Sequence, residues 1–301
     1  MKQPLWIPSE DRRRHAHLTR FLSHVNGRHG VTLESYGQLW EWSVAHIPEF
    51  WAAMWDFAEI RASTRYAEVV ADLGAFPGAR WFPGARLNFA ENLLSRGEPR
   101  RTALAFRGEA QASSVMTYAD LRETVARLGA ALRGVGVAPG DRVVAYMPNL
   151  IETAVAMLAA TSVGAVWASC GTDIAPSAAV DRLGQVEPAV LFTADGYLYK
   201  GRRFDTRANA ARVAEGIPTL KRVVVVPHLA RYPEVAGRPG VGRSPDLSGI
   251  PHAVGYEEFL AGGGSAAMRF EQLPADHPVF IMFSSGTTGR PKCLVQGAGG
   301  V

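Results

Sequence analysis

Val279-Phe280-Ile281-Met282-Phe283 runs straight into Ser284-Ser285-Gly286-Thr287-Thr288-Gly289-Arg290-Pro291-Lys292. The first five residues are apolar, branched or aromatic and set off by Pro278, a pattern that predicts a short buried strand. The strand delivers a small loop rich in hydroxyls and glycine. Gly286 and Gly289 admit backbone conformations closed to other residues and let several N–H groups converge on one anion. Ser284, Ser285, Thr287 and Thr288 add hydroxyl donors, and Lys292 adds a mobile positive charge. Together these are donors suited to gripping a polyphosphate.

The Walker A pattern, Gly-x-x-x-x-Gly-Lys-Ser/Thr, does not describe this loop. Counted from Gly286, the second glycine falls on Pro291 and the magnesium-ligating hydroxyl on Cys293. Proline has no N–H to offer. A conventional P-loop ATPase or GTPase is therefore disfavoured. A merely flexible surface loop is also disfavoured, because this concentration of glycine, hydroxyl and lysine directly follows a buried strand.

Upstream of the loop the chain alternates in period. Thr117 and Asp120 have capping-box spacing, and Leu121, Val125, Leu128 and Leu132 repeat at helical intervals until Gly134 and Gly136. Strands are expected at Val143–Met147, Ala165–Ala168, Ala189–Phe192 and Val223–Val226. Helices are expected between them, up to Gly164, over Pro176–Val186 and over Thr206–Ala214. The alternation predicts an α/β fold, a doubly wound and largely parallel sheet with helices on both faces. Such sheets bind ligands beyond the carboxyl ends of their strands, where the phosphate loop and Ser169-Cys170-Gly171-Thr172-Asp173 are expected to emerge. Pro, Gly and Ser crowd residues 232–251 and 262–265, which read as surface loops. There is no internal repeat.

Residues 1–95 form a separate stretch holding Trp6, Trp40, Trp42, Trp51, Trp55 and Trp81, six of the seven tryptophans. Ser9 is placed to cap a helix running to Asn26-Gly27, and Pro48 suits the first turn of another. This Trp-rich helical extension precedes residues 96–301, and its rings are expected to pack helices onto a larger domain rather than line a ligand box.

The composition bounds the function. The chain has 301 residues, is 47% hydrophobic and 20% charged, and carries a net charge of +4. It can bury a substantial core, and its mild charge does not point to nucleic acid. The basic run Arg12-Arg13-Arg14-His15 reads as a solvated helix face. Cys170 and Cys293 are far apart with no metal spacing, which suits a reducing cytoplasm, and the N-terminus lacks the apolar core of a signal peptide. The uncharged stretch Thr153–Gly171 reads as a buried helix followed by a strand, not a membrane span.

Ser284 to Lys292 resembles the phosphate-binding signature of the adenylate-forming enzymes, the superfamily of acyl-CoA synthetases, luciferases and peptide-synthetase adenylation domains. Within it the chain resembles the acetoacetyl-CoA synthetases. That likeness is carried by Leu87–Leu94, Ser162–Cys170, Asp181–Gln185 with Glu187-Pro188, and Tyr197–Gly201. The resemblance implies an acid–thiol ligase with ATP, acetoacetate and CoA as small-molecule substrates. The carboxylate attacks the α-phosphorus, pyrophosphate leaves, and the CoA thiol then displaces AMP. It implies that Ser284, Ser285, Gly286, Thr287, Thr288 and Gly289 cradle phosphate, with Lys292 supplying catalytic countercharge. It also implies that Lys200, Gly201, Arg202 and Arg203 contact the phosphates of CoA's nucleotide, although Tyr199 stands where a relative has arginine. No metal ligand is identified in this chain. The resemblance places the magnesium ligand, the ribose-holding aspartate and the lysine of a small C-terminal domain after Val301, so the chain by itself is expected to show little ligase activity and to leave an apolar sheet edge exposed. Two other readings stay open: an acetyl- or propionyl-type acyl-CoA synthetase, and a non-catalytic nucleotide-binding module.

Overall fold

Capping and periodicity account for the helices, and strand alternation accounts for the layers around them. The computed structural model describes residues 5–109, 113–231, 246–284 and 289–300. The chain divides into two compact units, Met1–Ala85 and Arg86–Val301.

In the first unit the helices are α1 (Glu10–Arg14), α2 (His17–His29), α3 (Tyr36–Ala45) and α4 (Ile47–Phe57). Ser9 caps α1 through its hydroxyl, as its position suggests, but the helix stops after one turn. Ala16 is extended and starts α2, and Thr19 Oγ1 donates to Arg13 O at 2.6 Å, closing the break. The continuous helix expected from Ser9 to Gly27 is thus two. The run Arg12-Arg13-Arg14-His15 lies exposed on α1, with Arg13 near Glu10 and His15 near Asp11. Trp42 and Trp55 are buried within this unit. Trp42 lies between His29 and His46, at ring separations of 5.0 and 5.3 Å, and Trp55 meets Phe82 at 4.8 Å.

Asp56 on α4 ties this unit together. Arg65 Nη2 donates to its Oδ1 at 2.7 Å, and Arg28 of α2 donates to Oδ2. Burial alone would raise the Asp56 pKa, but the hydrogen bonds from Arg65 and Arg28 outweigh it and hold the carboxyl below its ordinary value. Such a group stabilises the fold above its unfolded pKa, about 4, and the contribution is lost as pH falls through the folded value. Asp56→Asn is therefore expected to lower the melting midpoint of the first unit at pH 7 and to lie closer to wild type at pH 3. Thermal melts at both pH values check this; an equal gap at the two would contradict it.

In the second unit the elements are α5 (Phe89–Leu94), β1 (Thr102–Phe106), β2 (Ser114–Thr117), α6 (Tyr118–Gly134), β3 (Arg142–Tyr146), α7 (Ile151–Ser162), β4 (Val166–Cys170), α8 (Pro176–Leu183), β5 (Val190–Ala194), β6 (Gly196–Tyr199), β7 (Arg202–Asp205), α9 (Arg207–Glu215), β8 (Arg222–Val226), α10 (His228–Arg231), β9 (Ala253–Gly255), α11 (Tyr256–Ala261), β10 (Pro278–Ser284) and β11 (Lys292–Gly297). Seven of the strands form one sheet in the order β9-β8-β5-β3-β4-β10-β11. Every neighbouring pair is parallel except β10 and β11.

The two-residue period of the strands sends alternate side chains to opposite faces. Val143, Ala145, Phe192 and Val224 join the core under α6, α7 and α11. Val144, Tyr146, Leu191, Val223 and Val225 join the core under α8 and α9. The sheet is therefore doubly wound. Helix α6 begins at a capping box in which Asp120 N donates to Thr117 Oγ1 and Thr117 N to Asp120 Oδ2, both at 3.2 Å. It closes before Gly136, at φ +79°. Helix α7 turns into β4 through Gly164, at φ +78°, where a Cβ would lie 2.8 Å from Leu273 Cδ1. Among the described residues no helix is long and apolar enough to cross a membrane.

Some elements depart from the sequence expectations. Residues 196–205, where the alternation placed no element, are the antiparallel hairpin β6–β7. The stretches expected as loops carry no helix or strand over 246–251 and 262–265, and β9 and α11 lie between them; residues 232–245 lie outside those described. Lys292 opens a strand instead of closing a loop. On the outer hairpin Met282, Leu294 and Val295 are 45%, 48% and 59% exposed.

Candidate functional site

The carboxyl ends of β3, β4, β5, β8 and β10 share one edge of the sheet, and the candidate site is built along it. Strand β10 reaches this edge with Ser284, which stands across from Lys292 in the β10–β11 register. Gly289 adopts φ +101°, a conformation that favours glycine, between the two strands. Ser284, Gly289 and Lys292 are thus brought to the mouth of one hairpin. Ser285, Gly286, Thr287 and Thr288 lie outside the described residues. Lys292 is exposed, so its ammonium is available to an anion.

The start of β11 is approached from the short 3-10 turn, Gly184–Val186, that follows α8. Gln185 Nε2 donates to Pro291 O at 3.2 Å and to Asp181 O at 2.5 Å. This contact spans 106 residues, and sequence reasoning marked Gln185 only as part of a family stretch. Beside it a cleft of about 610 Å³ is lined by Trp167, Ser169, Cys170, Arg182, Phe283 and Gln296, among others.

Cys170 closes β4 at the floor of the cleft. Burial pushes its thiol up to about 12, with nearby Arg182 opposing and Asp173 adding to the shift. It stays protonated near neutrality and is not an activated nucleophile. Tyr146, fully buried at the end of β3, is also pushed up to about 12, chiefly by burial. Its neutral hydroxyl donates to Ile174 O at 2.8 Å, so the strand fixes the turn that follows Cys170. This turn holds Gly171, Thr172 and Asp173, as the strand pattern anticipated.

The second candidate cluster lies on the β6–β7 hairpin. Lys200 and Gly201 form its tip, at φ +50° and +69°, the paired left-handed conformation of a two-residue hairpin turn. Lys200 Nζ lies 5.2 Å over the Tyr199 ring and Arg202 Cζ 5.7 Å over Phe204. Arg203, itself exposed, donates from Nη2 to Leu229 O at 3.0 Å. The structure therefore presents Lys200, Gly201 and Arg202 together and directs Arg203 to a backbone carbonyl. Strand β5, which leads into this hairpin, is separated from β10 by β3 and β4. At about 4.8 Å per strand, β5 and β10 themselves lie roughly 14 Å apart in the sheet, with β4 and the Cys170 turn between them.

Among the described residues no group of three or more His, Cys, Asp or Glu side chains is placed to hold a metal ion. The described part of the β10–β11 hairpin offers the Ser284 hydroxyl and the Lys292 ammonium but no carboxylate, the side chain by which magnesium is chiefly bound.

The family model of AMP-binding enzymes matches residues 92–300. The chain belongs to the AMP-binding enzyme family. The acetyl-coenzyme A synthetase N-terminus model matches residues 36–93 of the chain. It is 41% identical over 304 residues to an acetoacetyl-CoA synthetase of Danio rerio, covering 98% of this chain and 43% of that protein. It is 39% identical to the acetoacetyl-coenzyme A synthetase of Rhizobium meliloti (strain 1021), over 99% of this chain and 44% of the relative. A malonamoyl-CoA synthetase, vrtB of Penicillium aethiopicum, is 39% identical over 92% of this chain and 38% of its own length. The solved structure of acetoacetyl-CoA synthetase from Streptomyces lividans superposes with a TM-score of 0.86 at 40% identity, over 99% of this chain and 44% of that one. The chain thus spans less than half the length of these relatives.

Proposed function

We propose that this chain grips the nucleotide substrates of an acid–thiol ligase that activates acetoacetate as an acyl-adenylate and passes it to CoA. The observation that carries this reading is the β10–β11 hairpin, which sets Lys292 opposite Ser284 at the carboxyl edge of the sheet. In the first half-reaction an acetoacetate oxygen attacks the α-phosphorus of ATP and pyrophosphate leaves. Negative charge grows on the transferring and leaving oxygens, and fixed donors stabilise it without reorganising at the moment of reaction. Lys292 and the hydroxyls of Ser284, Ser285, Thr287 and Thr288 supply those donors, with Gly286 and Gly289 allowing the backbone to approach. In the second half-reaction the CoA sulfur displaces AMP, while Lys200, Gly201 and Arg202 hold the phosphates of its nucleotide. Forked guanidinium donors suit that task.

No step is assigned to magnesium, because the described residues do not supply its ligands. The malonamoyl-CoA synthetase among the relatives supports a second reading of the acid, another short β-carbonyl acid. Lys292→Ala is expected to weaken ATP binding to the 301-residue chain about tenfold, since one charge-assisted contact is worth on the order of 1.5 kcal/mol. Isothermal titration tests this, and an unchanged affinity would remove Lys292 from the phosphate site. Competition by acetoacetate against malonamate and propionate for the ATP-loaded chain separates the acid substrates.

A further inference from the structure

Gly201, at the tip of the β6–β7 hairpin, donates its N–H to Glu109 Oε2 at 3.1 Å, a contact that spans 92 residues. In a two-residue turn of this kind the N–H groups of the central residues are not used by the hairpin ladder and face outward. Flanking the Gly201 N–H along the chain are Lys200 and Arg202, the two cations laid over Tyr199 and Phe204. A backbone donor between two cations attracts anions, and here the chain's own carboxylate takes the place. Glu109 is exposed, just beyond β1, so the bond that holds it is readily exchanged.

We propose that Glu109 is a tethered competitor for the nucleotide phosphate of CoA, holding the hairpin tip until that phosphate displaces it. The inference rests on the reading of this hairpin as a CoA contact. A phosphomonoester carries between one and two negative charges near neutrality and three acceptor oxygens, so it engages the N–H and both cations together. A single carboxylate, held among the described residues through the N–H, yields to it. While Glu109 is in place the binding-competent fraction falls and the apparent affinity falls with it. The tip then discriminates against ligands that lack a phosphate able to displace the carboxylate.

Calorimetric titration of the 301-residue chain with adenosine 3′,5′-bisphosphate tests this, with adenosine 5′-monophosphate as the control. Glu109→Gln is expected to bind the bisphosphate about tenfold tighter than wild type and to leave the monophosphate unchanged. Arg202→Ala is expected to weaken the bisphosphate in both backgrounds. If Arg202→Ala weakens binding but Glu109→Gln changes nothing, the competitor role fails and the CoA reading of the hairpin stands. Equal tightening of both nucleotides also overturns the competitor role, since the carboxylate would then act only as general charge. If neither Lys200→Ala nor Arg202→Ala affects the bisphosphate, the CoA reading fails and the inference falls with it.

Discussion

Phe192→Ala is expected to destabilise the second unit by about 3–5 kcal/mol, the usual cost of emptying a fully packed aromatic site. Phe192 sits in β5, in the interior of the sheet, with no exposed surface. Its ring meets Trp167 of β4 at 6.5 Å and Phe259 of α11 at 6.3 Å, the latter nearly edge-to-face. The substitution therefore removes apolar burial and aromatic contacts in two directions. Neighbours on a hydrogen-bonded sheet cannot close the gap, because strand spacing is fixed by the ladder on either side. Urea unfolding followed by far-ultraviolet dichroism measures the loss. A cost below about 1 kcal/mol would mean that the site collapses or is not packed as described. Trp40→Ala gives the contrast: the ring is 56% exposed, and its removal is expected to change stability by no more than about 0.5 kcal/mol.

The second large effect is expected at Asn88. This side chain is only 2% exposed and uses both ends of its amide. Nδ2 donates to Thr161 O at 3.0 Å, Ser162 O at 3.3 Å and Glu271 O at 2.9 Å. Oδ1 accepts from Glu91 N at 3.1 Å and caps α5. Asn88 thus ties the start of α5, the end of α7 and the segment entering β10 at one point. Asn88→Ala is expected to cost about 3 kcal/mol, combining a lost cap with the loss of one amide's bonds to three carbonyls, of which Thr161 O and Ser162 O keep the N–H groups of Gly164 and Glu271. Asn88→Asp separates these contributions. It keeps the cap but faces a carboxylate toward three carbonyl oxygens, so it is expected to be at least as unstable as alanine. If aspartate restored wild-type stability, capping would be the whole role of Asn88.

The doubly wound sheet is legible in the sequence because its signals are local. Thr117 and Asp120 announce α6 by spacing, Gly134 and Gly136 end it, and the apolar run before Ser284 announces β10. Strand β9 escapes such reading: Ala253–Gly255 is three residues long and exists through its pairing with β8. The same holds for β11, whose first residue is a lysine and whose strand character comes from its register against β10. The break between α1 and α2 turns on one hydroxyl reaching back six residues, which helical periodicity does not encode. In the candidate site the residue types of the phosphate stretch are readable and their partners are not. Gln185 to Pro291, Glu109 to Gly201 and Asn88 to Glu271 each join segments more than ninety residues apart, and no spacing rule connects them.

Lys292 begins a strand, so among the described residues no helix starts where the β10–β11 hairpin returns. A helix would bring about half a positive charge to its first turn, whereas the peptide dipoles of a strand alternate and nearly cancel. On the proposed reading, much of the countercharge for ATP must then come from the Lys292 ammonium, which is exposed. Mobile ions screen exposed charge over about 8–10 Å near physiological salt. The grip of this turn on nucleotide is therefore coupled to ionic strength, and a few hundred millimolar salt should loosen it more than it would a loop backed by a helix.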